Sequence, residues 1–148
     1  MKLNTPRWWY VRDSNHARMT RTALKPLGWV WAAVTARRIA KTVPADSGCA
    51  IISVGNLTVG GSGKTPVARE TLRLLRAAGV EAQGLSRGYG GRLEGPVRVD
   101  PEIHTADDVG DEPLMLAQGS PVWIARDRVA GARAAVAEGA QALVLDDG

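Results

Sequence analysis

At 148 residues, 45% of them hydrophobic and 23% charged, the chain has the length of about one ordinary domain and a composition that excludes a disordered polypeptide. Its only cysteine, Cys49, excludes an intrachain disulfide and a multi-cysteine metal site. The residue heads an apolar run, so it reads as a buried structural thiol in a reducing compartment. The net charge of +4 conceals an asymmetry. Residues 1–43 carry Lys2, Arg7, Arg12, Arg18, Arg21, Lys25, Arg37, Arg38 and Lys41 against Asp13 alone, and the remainder is net acidic, so a basic arm suited to an anionic surface precedes a mildly acidic domain.

In chain order the arm comes first. Trp8, Trp9, Tyr10, Trp29 and Trp31 are interleaved with its cations. The apolar stretch 27–36, bracketed by Arg18, Arg21 and Lys25 before and by Arg37, Arg38 and Lys41 after, is about half of the roughly 20 residues a bilayer crossing needs. Without a small-residue cleavage signature it is no signal peptide. An amphipathic interfacial helix on an anionic membrane fits best, because tryptophan settles at headgroup depth and cations add attraction. A helix docked on its own domain is the alternative. No nucleic-acid-binding motif is present, and no nucleic acid is expected as a partner. Residues 43–47 read as a linker, giving an arm and linker over 1–48 and a domain over 49–148.

Beyond the linker the spacing predicts a strand over 49–54, a helix over 66–78 with Val67, Thr71, Leu74, Leu75 and Ala78 as its apolar positions, and a strand over 80–86. A glycine-rich stretch over 87–95 and a short strand over 97–99 follow. Then come a helix over 112–118, a strand over 121–125, a helix over 128–138 and a strand over 142–145. Alternating helices and continuously apolar strands define an α/β fold, a parallel sheet with helices on both faces and ligands at the strands' carboxyl ends.

The stretch Thr58-Val59-Gly60-Gly61-Ser62-Gly63-Lys64-Thr65 matches the P-loop pattern except that threonine stands for the first glycine. The chemistry needs a turn whose amides converge on phosphate oxygens, which Gly60, Gly61 and Gly63 permit. Lys64 is placed for the β- and γ-phosphates and Thr65 for Mg²⁺, and Pro66 fits the first helical turn. Asp146 and Asp147 end the last strand, where a metal-holding acid belongs, although Asp-Gly is also an ordinary turn. Asp111 and Glu112 precede a helix, either as caps or, for Asp111, as acceptor of a hydroxyl's proton. Arg87-Gly88-Tyr89-Gly90-Gly91-Arg92 is open to two readings, a close-approach anion site or a solvated loop. Arg126-Asp127-Arg128 faces the same edge or starts a helix with its own ion pair. His16 and His104 are isolated and read as surface residues.

The stretch 53–66 together with Leu85-Ser86-Arg87-Gly88-Tyr89-Gly90-Gly91, Val109-Gly110-Asp111-Glu112-Pro113, Arg126-Asp127-Arg128 and Leu145-Asp146-Asp147-Gly148 closely resembles tetraacyldisaccharide 4'-kinase, the lipid A 4'-kinase family of Gram-negative bacteria. The resemblance covers nearly the whole chain. It implies an ATP- and Mg²⁺-dependent kinase acting on the 4'-hydroxyl of a tetraacyldisaccharide 1-phosphate at the cytoplasmic face of the inner membrane. It further implies Asp111 as the catalytic aspartate beside Glu112, Asp146 and Asp147 as the metal-holding pair, and Arg87, Tyr89 and Asn56 as substrate- or nucleotide-side residues. Family members continue into a carboxyl-terminal portion, so the sequence is expected to be a truncated piece. The competing readings are a regulatory, GTPase-type P-loop switch and an inactive membrane-binding fragment.

Overall fold

A computed structural model describes residues 15–55 and 63–146. The chain divides into two compact units, Met1–Pro44 and Ala45–Gly148, with the division inside the expected linker.

The first unit holds α1, Asn15–Lys41, which runs through Pro26 and ends on Arg38 and Lys41. Thr42 closes it, its hydroxyl donating to the Arg38 carbonyl at 2.8 Å. The expected helix is present and extends past the apolar stretch 27–36 at both ends. Among the described residues no helix is long and apolar enough to cross a membrane.

In the second unit the elements are β1 (Ala50–Val54), α2 (Lys64–Ala77), β2 (Ala82–Ser86), β3 (Val97–Arg98), α3 (Ala106–Val109), α4 (Asp111–Ala117), β4 (Val122–Ile124), α5 (Arg128–Ala137) and β5 (Ala142–Asp146). The sheet order is β1-β5-β2-β4-β3. Four strands are parallel, as expected, and the edge strand β3 runs antiparallel to β4. A two-residue strand reached from β2 by a loop, with no crossover helix, can return antiparallel along the edge. At the other edge β1 pairs with β5 alone among the described residues, and Ile51 and Ile52 are 43% and 36% exposed.

Both faces are covered. Leu85, Trp123 and Leu143 pack with Ala132 and Ala135 of α5 on one side. Ala82, Ala142 and Val144 meet Ala68 and Leu72 of α2 on the other, where Val122, Ile124 and Leu116 extend the core beneath α4. Trp123 satisfies its indole N–H by donating to Gln83 Oε1 at 2.8 Å inside the core. Cys49 is only partly buried, packed against the α5-side core.

The apolar face anticipated for α2 is only partly turned inward: Thr71 and Leu75 are half-buried, Leu75 against the core, and Ala78 is exposed. Val67 and Leu74 are each 54% exposed, while Thr65, Ala68 and Leu72 are buried. The helix start decides this rotation. Thr65 has to turn toward the end of β5, and residues three and seven further along are then carried onto the sheet. Full burial of a side chain such as Leu72 contributes on the order of 1.5–3 kcal/mol.

Candidate functional site

Parallel pairing brings the carboxyl ends of β1, β5, β2 and β4 to one edge. Val54 lies in register with Asp146, Leu145 with Leu85, and Ser86 with Ile124. The segments leaving these ends are therefore neighbours, as their residue types require for a common site.

Gly63 opens α2 with φ 76°, a left-handed conformation that L side chains adopt only with strain. The turn thereby delivers Lys64 and Thr65 as the first two helical residues, at the positive end of a 14-residue helix. Thr65 is buried and donates its hydroxyl to Asp146 Oδ2 over a long 3.4 Å. The other carboxylate oxygen, Asp146 Oδ1, is buried with no hydrogen-bond partner among the described residues. Burial pushes the Asp146 carboxyl above its ordinary range, against the opposing pull of the Lys64 ammonium and the Thr65 hydroxyl. An orphaned carboxylate oxygen beside a hydroxyl is an oxygen donor set of the kind a hard divalent cation takes, so these residues fit Mg²⁺. Asn56, Thr58, Val59, Gly60, Gly61, Ser62 and Asp147 lie outside the described residues.

Arg87 and Tyr89 follow β2 and are exposed, Tyr89 by 92%. They line a cavity of about 410 Å³ with Gly88, Gly90, Gly91 and Arg126. Arg128 is held below the ordinary guanidinium range by burial and by the nearby Arg87 charge, so two cations stand close at this edge. Of the tripeptide 126–128, Asp127 caps α5, accepting from the Val129 and Ala130 amides at 2.9 and 3.2 Å. Arg126 pairs with Glu94 at 2.7 Å. The helix-start reading thus holds for Asp127, while Arg126 pairs outside the tripeptide and lines the cavity beside Arg87.

Asp111 and Glu112 are the first two residues of α4, both exposed. The N-cap position is Gly110 and carries no side-chain cap, so neither acid is a capping residue. The turn that precedes them is ordered by its own side chains. Thr105 and Asp108 form a capping box: Asp108 Oδ2 accepts from the Thr105 amide at 2.8 Å and from its hydroxyl at 2.7 Å. The Thr105 amide and hydroxyl, aided by Arg92, hold the Asp108 carboxyl down to about 2. The amides of Arg92 and Leu93 donate to the Asp107 and Asp108 carbonyls, each at 2.9 Å. The glycine-rich loop and the acid-bearing helix start are thereby stitched into one unit. Sequence reading passed over Asp108, although Thr105-Ala106-Asp107-Asp108 carries the capping-box spacing. His104 is half-buried, its Nδ1 accepting from the Asp100 amide at 2.9 Å, a local turn contact.

A mostly parallel sheet covered on both faces, with a left-handed glycine, a lysine and a threonine opening a helix beside a buried acid, defines the P-loop class of α/β proteins. The sequence profile of the tetraacyldisaccharide-1-P 4'-kinase family matches residues 20–148, and the chain belongs to that family. It is similar to the tetraacyldisaccharide 4'-kinase of Caulobacter sp. (strain K31), 61% identical over 148 residues, which is 100% of this chain and 44% of the relative. The tetraacyldisaccharide 4'-kinase of Caulobacter vibrioides (strain NA1000 / CB15N) is 64% identical over the same shares. Among solved structures, "apo" form LpxK from Aquifex aeolicus in complex with ATP matches with a TM-score of 0.66 at 29% identity, over 87% of this chain and 44% of that one. The chain spans less than half the length of these relatives.

Proposed function

We propose that this chain supplies the nucleotide-binding portion of an ATP-dependent kinase that phosphorylates the 4'-hydroxyl of a tetraacyldisaccharide 1-phosphate in lipid A biosynthesis. Family membership supports the reading, as does the ATP complex of the Aquifex relative. The observation that carries it in this molecule is the buried Thr65–Asp146 pair with its orphaned carboxylate oxygen, at the start of the helix that presents Lys64.

In this reading the amides of residues 58–65 hold the phosphates, with Asn56 on the nucleotide side. Lys64 neutralises charge on the β- and γ-oxygens. Thr65, Asp146 and Asp147 would hold Mg²⁺, which when bound would supply charge neutralisation at the phosphates. Asp111, with Glu112 beside it, orients the acceptor hydroxyl and accepts its proton, and Arg87 and Tyr89 meet the anionic sugar. Positioning and charge neutralisation account for the rate.

In the same reading the domain 49–148 binds nucleotide, and the arm and linker 1–48 bind the cytoplasmic face of the inner membrane. A lipid substrate favours this arrangement, since each acyl CH₂ drawn into water costs about 0.8 kcal/mol.

The test has two parts. Equilibrium binding of ATP against GTP to this chain, with and without Mg²⁺, should favour MgATP and be lost in Lys64→Ala. Transfer of labelled γ-phosphate to tetraacyldisaccharide 1-phosphate by the full-length protein should likewise be lost in that variant. Undiminished turnover by Lys64→Ala would refute the assignment.

A further inference from the structure

The acceptor side of the candidate site is carried by two separate stretches of chain. Arg87 and Tyr89 lie on the glycine-rich loop after β2, and Asp111 opens α4. An acceptor held by its anionic end on one stretch and by its hydroxyl on the other is aligned only if the two keep a fixed separation. Neither stretch belongs to the sheet, so that separation is set by contacts of their own.

Asp108 joins them. Its carboxylate is buried and both oxygens are engaged: Oδ2 accepts from the amide and hydroxyl of Thr105 in its own turn, and Oδ1 from the guanidinium of Arg92 in the glycine-rich loop. From Asp108 the chain reaches Asp111 through Val109 and Gly110, each fixed in its own right. Val109 is fully buried with Leu116 and Ile124, and its carbonyl lies 3.1 Å from where a β-carbon on Gly88 would stand. Gly110 donates its amide to the Ala106 carbonyl at 2.8 Å. The sequence leaves Arg92 open as an anion ligand beside Arg87. Among the described residues, however, the cavity of Arg87 and Tyr89 takes Arg126 as its second cation, with Arg92 outside its lining. The Arg92 side chain is 76% exposed, so its ion pair contributes little to stability. What it fixes is where the loop sits on the turn.

We propose that Asp108 and Arg92 are positioning residues for phosphoryl transfer: their pair holds Arg87 and Tyr89 at the separation from Asp111 that the acceptor spans. Neither residue touches nucleotide or acceptor. The proposal rests on the reading of Asp111 as the group that takes the hydroxyl's proton, and adds what keeps it in register with the loop.

The experiment uses the full-length protein with MgATP and tetraacyldisaccharide 1-phosphate. Arg92→Ala and Asp108→Asn should each lower kcat about tenfold or more, while the MgATP dissociation constant stays within about twofold. Arg92 is exposed, so its substitution keeps the test available if Asp108→Asn unfolds the turn. Arg92→Lys keeps a cation for the carboxylate and should recover kcat to within about threefold of native. Arg98→Ala breaks an exposed pair with Glu138 and is the control, with kcat within about twofold of native. In an Asp111→Asn background, Arg92→Ala should change the residual turnover less than about twofold, whereas a loosened fold would lower it by the same factor in both backgrounds. If Asp111→Asn leaves no turnover, the kcat loss at unchanged MgATP affinity and its rescue by lysine decide. Native kcat in Arg92→Ala, a parallel fall in kcat and MgATP affinity, or equal losses with and without Asp111 overturns the positioning role and leaves the kinase reading standing. Native turnover in Asp111→Asn overturns the role given to Asp111 and the positioning role together.

Discussion

Gly91 and Asp108 are in backbone contact: a β-carbon built on Gly91 would stand 2.6 Å from the Asp108 carbonyl oxygen and within 2.8 Å of the Gly110 nitrogen. Reciprocally, a β-carbon on Gly110 would meet the Tyr89 carbonyl at 2.6 Å. Two glycines thus let the segment carrying Arg87 and Tyr89 lie directly on the turn that leads to Asp111.

Gly91→Ala should therefore force these two segments apart and cost about 1–3 kcal/mol, in the range of overpacking a close contact. Gly119→Ala is the control, because nothing lies within 4 Å of its added β-carbon and its φ is ordinary. It should be neutral, or stabilise by less than about 1 kcal/mol through the unfolded chain. Urea unfolding of the pair decides the matter: equal midpoints would remove the interlock.

Asp108 sets an acid limit on the same unit. Its carboxyl is held down to about 2 by the Thr105 amide and hydroxyl and by Arg92. Because the folded value lies below the unfolded one, the stabilisation is fully present above the ordinary carboxylate value of 3.8 and is lost as pH falls through about 2. A carboxyl chemical-shift titration should place the Asp108 midpoint near 2. Thr105→Val should move it upward, and a midpoint already at the ordinary value in the native chain would contradict the capping-box account.

Asp146→Asn should separate folding from ligand binding. Its carboxylate is buried with an unpartnered oxygen and burial disfavours its charge, so the amide should leave the metal-free protein at least as stable. MgATP affinity should fall by about tenfold or more, through loss of a charged oxygen donor. Thermal unfolding and nucleotide titration on the same sample read both effects. Parallel losses in stability and binding would make Asp146 a structural residue instead.

The tripeptide 126–128 offers a graded comparison. Asp127→Ala removes two bonds at the start of α5 and should cost about 1 kcal/mol, whereas Arg126→Ala breaks an exposed pair with Glu94 and should cost less than about 1 kcal/mol. Denaturant midpoints showing the reverse order would shift the weight to the ion pair.

Much of the second unit is legible in its sequence, because β1, β4 and β5 are short apolar runs and α2 and α5 are followed by Gly79 and Gly139. The order of β1, α2 and β2 and the position of Asp146 follow from local pattern alone. What pattern does not reach is rotation and direction. Val67, Thr71 and Leu74 mark as good a helical stripe as Thr65, Ala68 and Leu72, and only the tertiary pull of Asp146 on Thr65 chooses between them. The direction of β3 is set by its pairing with β4, a contact distant in sequence. At the candidate site, Lys64 and Thr65 are named by the glycine-rich motif and Asp146 by its place at the end of the last apolar strand. Asp108 carries a local capping-box signal with Thr105, and only its tie to Arg92, in a different segment, lies outside local pattern.

The outer rim of β1 has a chemical consequence of its own. On that side its amides and carbonyls have no strand beside them among the described residues, and Ile51 and Ile52 stand half uncovered. Such a border is adhesive toward any extended polypeptide, including its own twin. Solutions of this chain by itself should therefore self-associate as concentration rises. A soluble β-strand peptide that caps the rim should keep them clear.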